Sequence, residues 1–306
     1  MRIGLIGCGR WGQLILRDLQ QLGTDVSVVV PAGAQFAVSV PNVPTFAAIG
    51  DLPEVDGIII ATPTSTHAAV AYDLMDRGVP IFCEKPLTDD LKAATRLAKR
   101  ALGRLFVMDK WRYHNGVLAL AQVARSGVLG KVTGLKTRRL GFGSPQRDVD
   151  AAWNLLSHDL SISMEILGAP CQVTGAWGEF GEGRLQALTT LSIGSAFHFS
   201  EISVRSPVHE RSIQLLCTGG TAFLPDSDSD HVVLSFNPLN LEYPESPRIE
   251  RVQISTDMPL LAELRAFVEY LGGGQPPKSS AEEGVAIVEA IDQARRLAGA
   301  TIGSHV

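Results

Sequence analysis

Cysteine is scarce: four residues, at positions 8, 83, 171 and 217, with no Cys-x-x-Cys pair among them. That spacing fits neither a zinc knuckle nor a secreted disulfide framework. Charge is sparse as well. Charged residues make up 19% of the chain, and 32 acids against 27 bases leave a net charge of −5. A surface that tracks nucleic-acid phosphates needs a basic excess, so nucleic acid is not expected as a partner. The short basic stretch Lys136–Arg139 reads as a solvated strand face. No run of about 18 apolar residues occurs, which argues against a membrane span. The opening Met1-Arg2-Ile3-Gly4-Leu5 enters a strand pattern without an apolar signal region, so the expected location is the cytoplasm. Internal repeats and low-complexity tracts are missing too. Asp226, Asp228, Asp230 and His231 lack the following Glu of a calcium loop and read as an exposed hairpin loop. No metal is expected.

What is present is apolar material for a large core: 45% of 306 residues are hydrophobic. At about 100–200 residues per domain, that length suggests two domains. Over the first 110 residues strand and helix signals alternate. Ile3–Ile6, Val26–Val30, Gly57–Ala61, Pro80–Cys83 and Leu105–Met108 are short apolar runs, with helical stretches at Trp11–Leu22, His67–Arg77 and Asp89–Ala101 between them. Unbroken β-branched runs suit strands buried on both faces of a parallel sheet, and the alternation implies a right-handed doubly wound α/β domain. Beyond about residue 115 the texture changes to a helix at Val117–Arg125, a strand at Val132–Leu140 and a helix near His158–Leu167. Period-two runs follow at Leu185–Ile193, Ala196–Val204, Ser212–Cys217, Val232–Phe236 and Val252–Ser255. These predict a mostly antiparallel open sheet. Gly219-Gly220 reads as a turn, and Trp177 and Phe180, near Gly-rich turns, read as packed side chains. Two helices close the chain, the first with Leu260, Leu261, Leu264, Phe267, Val268 and Leu271 on one face. The expected architecture is an N-terminal Rossmann dinucleotide-binding domain over 1–115 and a C-terminal α+β domain over 116–306.

Gly7-Cys8-Gly9-Arg10-Trp11-Gly12 matches G-x-G-x-x-G directly after the first strand and at the start of the first helix. In that position glycines permit a tight turn and let a pyrophosphate rest on the helix N-terminus. The acid expected about 20 residues on, which would bind a ribose 2′-hydroxyl, is missing. The second strand ends Val30-Pro31-Ala32-Gly33-Ala34. NAD and NADP both stay open, with a slight tilt to NADP through Arg10. Thr62-Pro63 with His67, and Glu84-Lys85-Pro86, follow the next two strands, at carboxyl ends where open α/β sheets bind ligands. Read singly, Thr62 is a helix cap, His67 a surface residue, and Glu84 and Lys85 a solvated pair.

In this order the motifs resemble the glucose–fructose oxidoreductase / inositol dehydrogenase / MocA family. The shared stretches are Gly7–Gly12, Thr62-Pro63 with His67, Glu84-Lys85-Pro86, Ser126–Gly130 and the tail segments Pro259–Leu271 and Ser279–Leu297. Tyr113-His114, Arg139-Leu140-Gly141, Arg147-Asp148-Val149 and Trp153–Ile162 are similar to the branch that acts on sugar nucleotides such as UDP-N-acetylhexosamines. The resemblance implies an NAD(P)-dependent oxidoreductase transferring a hydride at a hydroxyl or keto carbon of a sugar, sugar nucleotide or polyol. It implies Lys85 and His158 as catalytic residues, with Arg112, Tyr113, Asn154 and Asp159 binding substrate. Gly7, Gly9, Arg10, Trp11, Gly12, Thr62, Pro63, His67, Glu84 and Lys85 would hold the cofactor. It further implies a homodimer or homotetramer formed through the C-terminal sheet. The chain departs from the branch at Asn154, where the branch has Asp, at Asn115, where it has Pro, and at Gly141, where it has Asn. Two other readings compete: a non-catalytic dinucleotide-binding sensor of the same fold, and transient oxidation–elimination with tightly held NAD.

Overall fold

In the computed structural model, which describes residues 1–30, 43–143, 148–169, 172–237 and 246–300, the chain divides into two compact units. The first begins with β1 (Arg2–Ile6), α1 (Arg10–Gln21), β2 (Asp25–Val29), β3 (Thr45–Phe46) and β4 (Gly57–Ile60). It continues through α2 (His67–Leu74), β5 (Ile81–Glu84), α3 (Leu91–Ala101) and β6 (Leu105–Met108). Every residue of β4, β5 and β6 is buried, as the unbroken apolar runs predict for a sheet covered on both faces. The strands are all parallel in the order β3-β2-β1-β4-β5-β6. This is the doubly wound order whose direction reverses at β1, and ligands bind at the carboxyl ends beside that reversal.

The second unit starts with α4 (Asn115–Ser126) and β7 (Val132–Phe142), then α5 (Ser157–Leu167), β8 (Gln172–Gly181), β9 (Arg184–Ile193) and β10 (Phe197–Ser203). It goes on through β11 (Arg205–Cys217), β12 (Gly220–Leu224), β13 (His231–Phe236) and β14 (Arg248–Gln253). Its eight strands run in the order β14-β13-β12-β11-β7-β10-β9-β8 and are antiparallel except for the parallel pair β10–β7. The core of this unit joins Val117 and Leu120 of α4 and Ile162 and Ile166 of α5 to Leu135, Ile213, Leu215, Leu224 and Val232 of the sheet. On β10, His198, Ser200 and Ile202 are buried while Phe197, Phe199 and Glu201 are only half-buried, so the two faces of the sheet differ in cover. The far end of the Phe197 ring lies against Gly134, where even a Cβ would strike it.

Three findings differ from the sequence reading. Gly220 opens strand β12 rather than ending a turn, because backbone pairing with β11 and β13 overrides local turn chemistry. Trp177 and Phe180 are 65% and 45% exposed rather than packed away. They sit on β8, an edge strand of the sheet, and Trp177 rests on its own strand over Gly175. Finally, α6 (Pro259–Leu271) belongs to the first unit, whose residues are Met1–Lys110 and Met258–Val288, whereas a single boundary at 115/116 would place it in the second. The apolar face read from the sequence is real: Leu260, Leu264 and Phe267 are buried, and Phe267 stacks on Phe82 of β5 at 4.9 Å. The closing helix α7 (Ala281–Leu297) gives its residues up to Val288 to the first unit and those from Glu289 to the second.

Candidate active site

In the first unit the dinucleotide motif has the geometry its chemistry needs. Gly7 has φ +92°, and a Cβ on it would lie 2.6 Å from the Ala61 carbonyl oxygen. A Cβ on Gly12 would collide with the Gly7 carbonyl, so α1 can close onto β1 only with glycine there. Gly9 faces open space, its residue caps α1 without a side-chain acceptor, and the first turn carries no acid. An N-terminus with free N–H groups and no carboxylate in front of it suits a diphosphate. The residues present therefore fit a dinucleotide cofactor. The segment from Pro31 to Ala34, where a ribose-binding acid was looked for, lies outside the described residues.

Thr62, Pro63 and His67 follow β4, and Glu84 and Lys85 end β5 and continue from it. His67 is buried and bridges two backbone carbonyls, Nε2 to Thr62 O and Nδ1 to Pro86 O, both at 2.9 Å. It ties the loop after β4 to the cis Lys85–Pro86 peptide. The Trp11 indole N–H donates to Glu84 Oε1, and the Lys85 backbone N–H donates to Glu84 Oε2 at 3.2 Å. Arg10 is exposed at the first position of α1. Lys110 places its Nζ 4.7 Å from the Trp11 ring centre.

Beneath these residues lies a carboxylate cluster that the sequence did not flag. Glu263 of α6 is 1% exposed, and its Oε1 has no hydrogen-bond partner. Burial pushes the Glu263 carboxyl well above the usual carboxylate range; the charges of Glu84 and Asp109 push it further, and Lys110 opposes them. Burial also raises Glu84, against Lys85, the Trp11 N–H and Lys110. A carboxyl raised in the folded state keeps a proton that the unfolded chain has released above about pH 4.3, so stability falls as pH rises from there. Glu263→Gln is expected to melt near the wild-type temperature at pH 4 and increasingly above it toward pH 8. A difference independent of pH would show that Glu263 carries no such proton.

In the second unit, α5 is preceded by a π-helical turn, Ala152–Leu156, in which Asn154 is 3% exposed. Such turns widen a helix by one residue and recur at functional sites. Asp150 caps it, Oδ1 accepting from Ala152 N at 3.1 Å, while Oδ2 pairs with Arg295 Nη2 at 2.8 Å. Sequence reasoning passed over Asp150, which has no motif signature. His158 is half-buried in the first turn of α5. Its neighbour Asp159, expected to bind substrate, is 1% exposed with both oxygens engaged. Oδ1 accepts from Arg139 Nε at 2.9 Å and Oδ2 from Ser200 Oγ at 2.8 Å. This anchors the helix turn carrying His158 to β7 and β10. Arg139 also lies 4.5 Å over the Trp111 ring. Arg112 pairs with Glu165 at 3.2 Å, and Tyr113 is half-buried beside it in sequence. His198 behind Asp159 is fully buried and donates to or accepts from Thr137 Oγ1 at 3.0 Å; burial pushes it down to about 4, so it is neutral. Arg147 of the resemblance lies outside the described residues. A half-open cavity of about 230 Å³ beside Asp150 and Arg295 includes none of the expected catalytic residues. Among the described residues no group of three or more His, Cys, Asp or Glu side chains could hold a metal ion, and no helix is long and apolar enough to cross a membrane.

The chain is 31% identical over 140 residues to the rhizopine catabolism protein MocA of Rhizobium meliloti, covering 43% of this chain and 44% of that one. It is 31% identical over 176 residues to a UDP-N-acetylglucosamine 3-dehydrogenase of Acidithiobacillus ferrooxidans, 55% of each. These matches span about half the length of the curated relatives or less. A solved structure of the UDP-N-acetylglucosamine 3-dehydrogenase from Acidithiobacillus ferrooxidans shares the fold, with TM-score 0.83 and 24% identity over 97% of both chains. The model of the GFO_IDH_MocA family, described as an oxidoreductase family with an NAD-binding Rossmann fold, matches residues 1–106. Over those residues, the first unit's strands and helices, the chain is similar to that oxidoreductase family.

Proposed function

We propose that this protein is an NAD(P)-dependent dehydrogenase that interconverts a secondary alcohol and a ketone on a sugar, sugar nucleotide or polyol. The observation that carries the reading is the open α1 N-terminus behind Gly9, with Lys85 at the carboxyl end of β5 in the same sheet. Bound nicotinamide supplies the acceptor for the carbinol hydride. Lys85 donates a hydrogen bond to the hydroxyl oxygen, which stabilises charge as the O–H bond breaks. His158 takes the hydroxyl proton on its imidazole, the side chain most often used as a general base. Asp159, held by Arg139 and Ser200, positions the turn that carries His158. Asn154 offers a hydrogen bond to substrate without the charge a carboxylate would bring. NAD is the family's cofactor, and the absence of an acid at positions 30–34 removes the usual barrier to NADP.

The face of the second sheet with half-buried Phe197 and Phe199 and exposed Trp177 and Ile193 supports pairing with a second copy, since contiguous apolar surface of this kind marks interaction sites. Light scattering at micromolar concentration should give a dimer or tetramer; a monomer would reject that pairing.

Calorimetric titration with NADH and NADPH, followed by the reduced-nicotinamide absorbance assay on UDP-sugars, free sugars and inositols, tests the enzyme reading. Binding with turnover of one substrate class is expected. Cofactor bound without turnover would favour a sensor, cofactor retained through dialysis with no net reduction would favour oxidation–elimination, and no binding would reject all three.

A further inference from the structure

One cation in the second unit is left over after its neighbours are paired. Arg211 on β11 stands in register with Arg139 on β7, so two guanidinium groups share opposing positions, an arrangement that is destabilising by itself. Arg139 is answered by Asp159. Arg211 is not: its Nη1 donates to the carbonyls of Leu140 and Glu210, and no carboxylate among the described residues comes within ion-pair distance of it. Asp159 and Asp226 act on it only through space, while burial and Arg139 weigh against its charge. Beside it is Gly141. A Cβ built there would lie 3.4 Å from His209 Nδ1 and 3.6 Å from Arg211 Nη2, ordinary contact distances, so an imidazole and the unengaged edge of a guanidinium converge on one glycine.

We propose that Arg211 and His209, which converge beside Gly141, form an anion subsite that receives a phosphate or carboxylate group of the substrate. A guanidinium with one edge tied to backbone carbonyls presents its remaining N–H groups as a fixed fork, which matches two oxygens of a planar or tetrahedral anion. His209 is exposed and supplies a further donor as the anion approaches. The inference rests on the dehydrogenase reading only in assigning the anion to the substrate. The subsite stands on the same unit as His158, within electrostatic reach of Asp159, the residue after it.

The test is calorimetric titration of the full chain, with saturating NADH present to occupy the α1 N-terminus, against inorganic pyrophosphate, glucuronate and glucose, alongside steady-state kinetics on charged and neutral substrates. Wild type is expected to bind one of the two anions and not glucose; which anion binds tells phosphate from carboxylate. Arg211→Met should weaken that binding about 10- to 100-fold, and Arg211→Lys should recover part of it. Gly141→Val, at a strand position with no positive φ, sets methyl groups against His209 and Arg211 and should block the anion, with the melting temperature read alongside. This guards against a loss caused by misfolding. In kinetics, Arg211→Met should raise KM for the charged substrate and leave kcat near wild type. Equal binding of pyrophosphate and glucuronate by wild type, Arg211→Met and Gly141→Val would overturn the subsite, as would no binding of either anion by wild type. Arg211-dependent anion binding without turnover of any sugar would uphold the subsite and reject the dehydrogenase reading. Turnover of neutral sugars with no preference for charged ones would do the reverse.

Discussion

Alanine at His158 is expected to lower kcat for the alcohol substrate by about 10²–10⁴-fold, the usual contribution of a positioned general base, with cofactor affinity unchanged. Lys85→Ala should cost a similar factor, with a second consequence that His158→Ala lacks. Lys85 opposes the burial that raises the Glu84 carboxyl, so its loss pushes Glu84 further up. The Lys85 variant should therefore lose stability as pH rises above about 4.3 more steeply than wild type, which a series of thermal melts reads directly. Retention of more than about a tenth of wild-type kcat by either variant would remove that residue from the chemistry.

The second large effect concerns stability. Asp159→Ala leaves Arg139 buried without its carboxylate and Ser200 without its acceptor. Breaking a buried pair from one side costs about 3–5 kcal/mol, which at about 2–4 °C per kcal/mol lowers the melting temperature by roughly 6–20 °C. Arg139→Met in the same chain should restore much of the loss, because the uncompensated cation is then gone. The double variant should still turn over slowly, since the first turn of α5 has lost its tie to the sheet. A single variant within about 1 kcal/mol of wild type would mean that the pair behaves as an exposed one.

Much of the first unit was legible in the order of its residues. Strands such as Gly57–Ile60 and Ile81–Glu84 are short, wholly apolar or nearly so and flanked by turn residues, and the glycines of positions 7–12 have no other place to go between β1 and α1. The apolar face of α6 was equally plain. Which core it joins was not, because Leu260, Leu264 and Phe267 would suit either unit and only the contact with Phe82 decides. The second unit was read less fully. Gly220 carries a turn residue into a strand, the parallel pairing of β10 with β7 is a long-range choice, and Trp177 has the composition of a core residue on an edge strand. For the candidate site, the motifs single out Lys85 and His158 as the proposed catalytic pair. Asp159 looked like a ligand and is held by the scaffold, because its partners Arg139 and Ser200 are distant in sequence. Arg211 and Glu263 carry no motif; each becomes conspicuous only when folding sets it beside a like charge.

The return of α6 to the first unit also has a bearing on how the chain is made. Lys110 and Met258 are separated by 147 residues, the whole of 111–257. At about 5–20 residues per second, a ribosome needs roughly 7–30 s to cover that interval. For that time the nascent β1–β6 sheet has emerged while Leu260, Leu264 and Phe267, which complete its core, have not been synthesised. The second unit's sheet is finished at β14, before α6 is made, so the core of the first unit closes only after that sheet is complete. In the meantime Phe82 and its apolar neighbours are open to chaperones, or to the α6 of another copy.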